Sequence, residues 1–335
     1  MRAFEYARAA TIDEAPGLVA GKHTPQNGSR FLAGGTDLLT LMKADVVQPS
    51  LLVDIKRAEG LPRGIEEDGQ GGPNGNGLVL GALTSLSEIE RHPAVIERYP
   101  ALAEAVGQAA TPQLRNMATI GGNLLQRPRC WYFRSSAFDC WLKGGTVCHA
   151  RDGENQQHAL FGQSPCVAVH PSDAASALVA LGASVRLRGS NGERTLSVAD
   201  LFAEPTEDRR TETVIGPDEL LLDVRLPAPA ANTRSTYRKA MDRKVWAFAL
   251  VGVAAVLRLD GRTVTDASIV LTGVAPIPWR AHQAERLLTG QEATPERILE
   301  AAQAAVSGAQ PLEHNGYKVP LARSLVRQAL TDLTT

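Results

Sequence analysis

Two short glycine turns constrain the fold of this chain more than any other feature. Residues 32–38 read Leu-Ala-Gly-Gly-Thr-Asp-Leu, and residues 118–124 read Ala-Thr-Ile-Gly-Gly-Asn-Leu. Paired glycines let the backbone adopt positive φ, so that successive N–H groups point at an anion, and Thr36 and Asp37 are expected to cap the helix that follows. Either turn alone is usually an ordinary connection, but two with the same chemistry predict a diphosphate site. No Gly-x-Gly-x-x-Gly motif follows a strand, so the Rossmann fingerprint is absent.

The sequence around the turns alternates between short strand and short helix patterns, which predicts an α/β protein. Ser172-Asp173 is expected to cap the helix after it, and the glycine-rich stretch from Gly69 to Gly77 is expected to be a surface loop. Strands are predicted at 30–33, 51–55, 78–82, 184–188 and 220–226, and helices at 11–20, 38–43, 87–96 with a break at Pro93, 101–110 and 174–181.

The Pro- and Ala-rich stretch 227–232 marks a boundary between two units of the chain. Beyond it, the dipeptide Asp260-Gly261 predicts a tight hairpin that pairs 247–259 with 264–274. Helices follow, and one of them begins at Thr294-Pro295, a cap with proline in the first turn. The C-terminal part of the chain is therefore expected to form a separate α/β layer.

Charge and hydropathy argue against two classes of protein. The 35 basic and 36 acidic residues give a net charge of −1, which provides no basic footprint for a nucleic acid. The longest apolar run, 247–257, is much shorter than the about 20 residues of a membrane-spanning helix. Because no secretory signal is visible, the chain is expected to be soluble and cytoplasmic, or periplasmic if a signal-bearing partner exports it.

All four cysteines lie in one segment, which also concentrates the scarce aromatic residues. Cys130, Cys140, Cys148 and Cys166 have the spacing C-x9-C-x7-C-x17-C, which matches neither a zinc ribbon nor a ferredoxin. Unselective burial should scatter cysteines through the core, and disulfides fit poorly with a chain that lacks a secretory signal. The thiols therefore predict one metal centre, and an iron–sulfur cluster is favoured over zinc and over no metal.

The neighbours of the cysteines favour a cluster, because a shell that excludes water tunes its reduction potential. His149 and His158 are alternative ligands to Cys166, which follows an independent loop. The aromatic shell is expected to contain Trp131, Tyr132, Phe133, Phe138, Trp141 and Phe161, and the cations expected to offset thiolate charge are Arg127, Arg129, Arg134 and Lys143.

Together with the segment 170–173, His-Pro-Ser-Asp, the two turns resemble the FAD-binding subunits of molybdenum hydroxylases. That family includes xanthine dehydrogenases, carbon monoxide dehydrogenases and aldehyde oxidoreductases. Residues 237–243 and 247–249 resemble its C-terminal part. The resemblance implies an α/β (α+β) fold with a two-lobed FAD-binding domain of the PCMH type (vanillyl-alcohol oxidase superfamily) over 1–228, with lobes at about 1–60 and 61–228. A C-terminal α/β domain of the CO dehydrogenase flavoprotein type is implied over 233–335.

The same resemblance assigns residues to FAD. It implies that Asp173 reaches the flavin or the ribitol, that Leu221 packs on the cofactor and that Lys239 lies near the ring. Simpler interpretations are a helix cap for Asp173, a core residue for Leu221 and a solvated charge for Lys239. The first pyrophosphate loop would be lined by Ala33, Gly34, Gly35, Thr36 and Asp37, flanked by Leu32 and Leu38. The second would consist of Thr119, Gly122 and Asn123, with Thr111 nearby.

The cysteine insertion, at about 126–166, indicates which members of this family the chain resembles most. It is similar to the middle subunit of three-subunit bacterial aldehyde oxidoreductases, which carries a [4Fe–4S] cluster beside FAD, and a similar cluster occurs in 4-hydroxybenzoyl-CoA reductase. The implied complex is a heterotrimer. A molybdenum cofactor subunit oxidises an aldehyde, and a [2Fe–2S] subunit passes electrons to the FAD of this chain and on to an external acceptor.

This chain is then expected to hold no catalytic nucleophile or base of its own. Three alternatives stay open. The chain is a flavin subunit of a hydroxybenzoyl-CoA reductase or another molybdenum hydroxylase, a free-standing flavin oxidase, or a zinc-stabilised nucleotide-binding scaffold.

Overall fold

The computed structural model describes residues 2–20, 27–69 and 74–335. Within them the strands form three sheets, and the first is wholly parallel. It consists of β1 (Glu5–Arg8), β2 (Asn27–Leu32) and β3 (Gln48–Asp54), connected through helices α1 (Glu14–Val19) and α2 (Leu38–Lys43). The strand β3 lies between the other two. Part of the loop predicted between Gly69 and Gly77, residues 70–73, lies outside the described residues.

The second sheet is antiparallel and is interrupted in sequence by a long helical and irregular segment. Its strands are β4 (Ile65–Glu67), β5 (Leu78–Gly81), β6 (Ser184–Gly189), β7 (Gly192–Ser197) and β8 (Leu220–Leu226), in the order β4-β5-β8-β6-β7. The helices are α3 (Leu86–Arg91), α4 (Pro93–Arg98), α5 (Pro100–Gly107), α6 (Pro112–Arg115), α7 (Ile120–Leu124), α8 (Trp131–Arg134), a 3-10 helix (Trp141–Lys143), α9 (Asp173–Ala180) and α10 (Val198–Leu201).

The third sheet is built from residues after position 232 and is also antiparallel. Its strands are β9 (Thr233–Ala240), β10 (Val251–Asp260), β11 (Thr263–Thr272), β12 (Trp279–Arg280) and β13 (Gln291–Glu292), and its helices are α11 (His282–Leu288), α12 (Pro295–Ala304) and α13 (Lys318–Thr334). The order is β12-β11-β10-β9, and β13 pairs with β11 at a separate position.

Several elements begin and end where local signals predict. Pro93 separates α3 from α4. The Ser172 hydroxyl accepts the Ala175 N–H at 3.0 Å and so caps α9. The predicted hairpin turns at Gly261, which has a φ of +57°. The mixed α/β prediction is confirmed.

One core joins the second and third sheets. Helices α5 and α9 contribute Leu102 and Leu178 to it, and the third sheet contributes Ala254 and Val270. Across residues 2–20, 27–69 and 74–335, no helix has both the length and the apolar character required to cross a membrane.

Candidate functional site

The two glycine turns lie against each other in the structure. A Cβ atom on Gly34 would come within 1.8 Å of the carbonyl oxygen of Met117, just before the second turn. Gly35 has a φ of +72°, a conformation that glycine adopts without strain. In the second turn, a Cβ on Gly121 would lie 3.1 Å from the carbonyl oxygen of Ala82. The glycines therefore permit a close approach of the two turns that a side chain at position 34 would block.

The backbone N–H groups of the two turns have different partners. Among the described residues, those of 34–36 donate to no acceptor, so they are available to an anion. In the second turn, the Gly121 N–H donates to the carbonyl of Ala82 at 3.0 Å, and the Gly122 N–H donates to Thr119 Oγ1 at 3.2 Å. The expectation that both turns direct free N–H groups at a diphosphate is therefore wrong for the second turn.

The polar side chains of the second turn and its surroundings are engaged locally. Thr119 caps α7 through the bond to Gly122, and Thr111 caps α6 by accepting the Leu114 N–H at 3.3 Å. The side-chain oxygen of Asn123 accepts a hydrogen bond from the Ser172 hydroxyl. This last bond joins the second turn to the start of α9.

Asp173 and Lys239 form a buried ion pair. Lys239 Nζ donates to Asp173 Oδ2 at 2.7 Å, and the two side chains are 1% and 3% exposed, respectively. The Tyr237 hydroxyl donates to the other carboxylate oxygen at 2.6 Å. Burial, together with the charge of Asp173, raises the pKa of Tyr237 well above its ordinary value, so the hydroxyl stays a donor. Interpreting Asp173 as a plain cap and Lys239 as a solvated charge is wrong, because Ser172 is the cap and the lysine head group is buried.

The leucines assigned to FAD lie in two environments. Leu221 is buried in the core of the second sheet, opposite Leu187 on β6. Leu32 and Leu38 are half-buried and pack on the cluster that includes Met42. Ala33 is half-buried at the end of β2, where it packs on the core between the first two sheets.

Asp37 occupies the N-cap position of α2, but its side chain makes no capping hydrogen bond. Its Oδ2 accepts the Arg127 N–H at 3.0 Å, and its Oδ1 accepts from Arg134 Nη2 at 2.8 Å and from Arg129 Nη1. Burial alone would raise the pKa of Asp37, but these partners outweigh it and hold the pKa below its usual value. The capping expectation for Asp37 is wrong, and Arg129 and Arg134 pair with this carboxylate.

The structure gathers the four cysteines, all as free thiols, into one region. The thiols of Cys148 and Cys166 shift each other's pKa in opposite directions, and Cys130 and Cys140 interact electrostatically with each other and with Cys148. His158 Nε2 lies 3.2 Å from Cys130 Sγ. Among the described residues, no three His, Cys, Asp or Glu side chains form a group that could hold a single metal ion.

Backbone N–H groups surround the cysteine sulfurs. Burial raises the pKa of Cys130 to about 12, whereas the hydrogen bond from Cys166 lowers the pKa of Cys148 to about 6. The donors are Tyr132 and Phe133 for Cys130, Leu142 and Lys143 for Cys140, Ala150 and Val167 for Cys148, and Ala168 for Cys166.

Most of the expected aromatic shell is buried. Phe161 stacks on Trp279 of the C-terminal sheet with ring centroids 4.8 Å apart, and Trp131 meets the His158 ring edge-on at 5.2 Å. Phe138 departs from the expectation, since it is 39% exposed. The buried members are Tyr132, Phe133, Trp141 and Phe161.

Two buried polar residues of the C-terminal part hold the insertion and were not predicted. Asn315 Nδ2 donates to the carbonyls of His158 and Ala159 at 3.1 and 3.0 Å. Lys318 Nζ donates to the His158 carbonyl at 2.9 Å. Nothing local in the sequence marks either residue. Tyr237 was also missed, although its place two residues before Lys239 puts both on one face of a strand.

Two sequence families match the chain. The family described as the FAD binding domain in molybdopterin dehydrogenase matches residues 2–229. The family described as the CO dehydrogenase flavoprotein C-terminal domain matches residues 235–333.

Individual relatives match over nearly the whole chain. The aldehyde oxidoreductase FAD-binding subunit PaoB of Escherichia coli is 36% identical over 99% of this chain and 98% of its own length. The carbon monoxide dehydrogenase medium chain of Hydrogenophaga pseudoflava is 32% identical over 98% of this chain and 96% of its own length. The solved structure of carbon monoxide dehydrogenase from Hydrogenophaga pseudoflava that lacks the Mo-pyranopterin moiety superposes with a TM-score of 0.76 at 31% identity, covering 98% of this chain and 96% of that one.

Proposed function

Since this chain belongs to the family of FAD-binding subunits of molybdenum hydroxylases, we propose that it relays electrons within an aldehyde oxidoreductase. In this proposal, electrons come from molybdenum and [2Fe–2S] partner subunits and leave through FAD to an external acceptor. A [4Fe–4S] cluster on the four cysteines of this chain is the additional redox centre. One observation carries the proposal: the cysteine insertion lies directly against the first glycine turn through Asp37.

The first turn supplies what the FAD diphosphate requires. Among the described residues, the N–H groups of 34–36 donate to no acceptor, and the absent Cβ of Gly34 lets the second turn approach. The Asp173–Lys239 pair is buried beside α9, with Tyr237 holding its orientation. We assign the diphosphate to the turns and the flavin end to this buried pair.

Within this proposal, a four-iron cluster rather than a single zinc ion occupies the cysteines of the insertion. A four-iron cluster is larger than one ion, so its ligand sulfurs lie farther apart than those of a zinc site, where each Zn–S bond is about 2.3 Å. The insertion holds all four cysteines of the chain, which is the number of thiolate ligands that such a centre takes. The N–H donors at all four sulfurs stabilise thiolate charge and lower the cost of placing a charged cluster in a buried site.

Bound FAD and a cluster would supply the redox chemistry, and the residues of this chain hold and shield them. Phe133 and Trp141 are buried in one apolar core with Cys140 and Cys166 and shield those two cysteines. Trp141 is itself fixed, since its Nε1 donates to Glu207 at 3.1 Å and the Arg210 guanidinium lies 4.7 Å above its ring. The first relative named above is an aldehyde oxidoreductase subunit, which supports an aldehyde as the substrate class of the complex.

Purification of the native complex tests each part separately. We expect flavin absorbance, molybdenum, and more iron and acid-labile sulfide than the [2Fe–2S] partner accounts for. Cys140→Ser and Cys148→Ser should each remove the excess iron and sulfide, while the exposed Ser136→Ala should leave both unchanged. Zinc without the excess sulfide would refute the cluster, and a complex that lacks flavin would refute the FAD assignment.

A further inference from the structure

We infer that Asp37 is a positioning residue that couples FAD binding to the metal centre of the insertion, so that occupation of either site favours occupation of the other. The inference rests on the proposed function, because it requires both groups. The resemblance assigned Asp37 to FAD alone. Its carboxylate instead faces the segment that carries Cys130.

The contacts of Asp37 cross between two remote parts of the chain. The residue ends the first glycine turn and precedes α2, and the Leu41 N–H donates to its carbonyl at 3.1 Å. Its side chain bonds to Arg127, Arg129 and Arg134, which are 90 to 97 positions later in the sequence. The backbone of Asp37 thus belongs to the diphosphate turn, and its carboxylate belongs to the insertion.

Arg134 bonds to the backbone at and before Cys130. Arg129 immediately precedes it, and the Arg134 N–H donates to the Cys130 carbonyl at 2.9 Å. Arg134 Nε also donates to the carbonyl of Pro128 at 2.7 Å, so this one side chain closes the loop before the cysteine. The helix that Arg134 ends carries the N–H groups of Tyr132 and Phe133 that donate to Cys130 sulfur.

The negative charge of Asp37 is required beside these arginines. Three guanidinium groups meet in a partly buried place, and the described carboxylates that pair with them are Asp37 and Glu212, the latter with Arg127 at 3.0 Å. A neutral amide at position 37 would leave Arg129 and Arg134 without an ion-pair partner. The ionic attraction that holds the Cys130 segment to the turn would then be lost.

Packing continues the same connection. Leu41 and Met42 on α2 lie in one cluster with Phe133, Cys140 and Cys166. A displacement of α2 therefore disturbs the apolar core that contains two of the cysteines. Coupling between two binding equilibria is reciprocal. If bound FAD raises the affinity of the insertion for its metal centre, the metal centre must therefore raise the affinity for FAD by the same factor.

The test compares FAD affinity in four samples of the full chain, with and without the cluster, for the wild type and Asp37→Asn. The cluster is removed by oxidative chelation, and the FAD dissociation constant is measured by fluorescence. For the wild type we expect FAD to bind at least about fivefold more tightly when the cluster is present, at the lower end of typical coupling. For Asp37→Asn the two dissociation constants should agree within twofold.

Asp45→Asn is the matched control, because Asp45 lies in the same segment and is 42% exposed, and its only ion pair with a described residue is a long 3.8 Å contact with Arg2. Its φ of +58° is one that asparagine tolerates. This control should keep the wild-type ratio. If Asp37→Asn weakens FAD equally in both samples, Asp37 is merely structural and the inference is overturned. A wild type that contains FAD but never iron and sulfide would overturn the proposed cluster instead.

Discussion

Lys318 offers a quantitative test, because it is a fully buried lysine with no carboxylate partner among the described residues. Its Nζ donates to the carbonyls of His158 and Gly273. Burial lowers its pKa from an ordinary value of 10.5 to about 7. The perturbation we propose is Lys318→Met, which keeps the length of the side chain and removes the titrating group.

The pKa shift fixes the sign and the size of the effect. Between pH 7 and pH 10.5 the unfolded chain keeps a proton on Lys318 that the folded chain has released. The free energy of unfolding therefore rises with pH through this window, whereas below pH 7 the full cost of the buried charge is present. A difference between 10.5 and about 7 corresponds to about 5 kcal/mol at most. The steepest slope is about 1.4 kcal/mol per pH unit.

Urea unfolding of the FAD-saturated chain at pH 6 to 10 measures this dependence for the wild type and Lys318→Met. The difference in the free energy of unfolding, wild type minus Lys318→Met, should rise by several kcal/mol between pH 7 and pH 10. The exposed Lys244→Met is the control, and its difference from the wild type should not change with pH over this range. A flat difference for Lys318→Met would refute the reasoning, since it would mean that the two carbonyls keep the buried lysine charged.

Two further predictions concern the flavin site. Gly34→Ala should lower FAD content at least tenfold in purified protein, because its Cβ would clash with the Met117 carbonyl. Gly17→Ala, where a Cβ meets no described atom within 4 Å, should retain FAD. Tyr237→Phe should lower the free energy of unfolding by about 1.5–3 kcal/mol, because the charged carboxylate of Asp173 loses the hydrogen bond from the Tyr237 hydroxyl. A loss below about 0.5 kcal/mol in urea titration would contradict that role.

Elements with a local cause were predictable from the sequence. Pro93 cannot continue a helix, Gly261 supplies a positive φ and Ser172 supplies a capping oxygen, and each acts where the sequence indicates. Strand β9 was not predicted, since its inward positions include Ser235 and it lacks the alternation of apolar and polar residues that marks a half-buried strand. It is specified by pairing with β10, which is a tertiary effect.

In the candidate site, too, the features with a local cause were predictable and the tertiary contacts were not. The glycine turns were found from their motifs because backbone conformation depends on local residue type. The direction of a side chain across the fold leaves no such trace. Asp37 was expected to cap its own helix, the commonest role for aspartate at that position, yet its partners are Arg129 and Arg134, more than 90 residues away. Lys318 begins an ordinary helix, and only the tertiary structure shows its contact with His158.

The insertion has little regular structure of its own, which determines how its order arises. Its helices are α8, with four residues, and a 3-10 helix of three. Such a segment cannot bury a core alone, so it depends on contacts with its surroundings. Asp37 holds it from the first glycine turn, Glu204 accepts the N–H groups of residues 163 and 164 at 2.6 and 2.9 Å, and Asn315 holds it from the C-terminal part.

These contacts reach every layer of the fold, so the insertion is where the parts of the chain constrain one another. A metal centre bound by the four cysteines would restrict the conformations open to the insertion. It would therefore stabilise all three contacts together. Loss of that centre would release the diphosphate turn and the C-terminal helices together. Hydrogen exchange on the chain with and without its metal should therefore show increased exchange at the N–H of Leu41 and at the N–H of Gln310, which donates to the Leu160 carbonyl at 2.7 Å. If only the insertion itself exchanged faster, the three contacts would be independent, and the picture of one coupled assembly would fail.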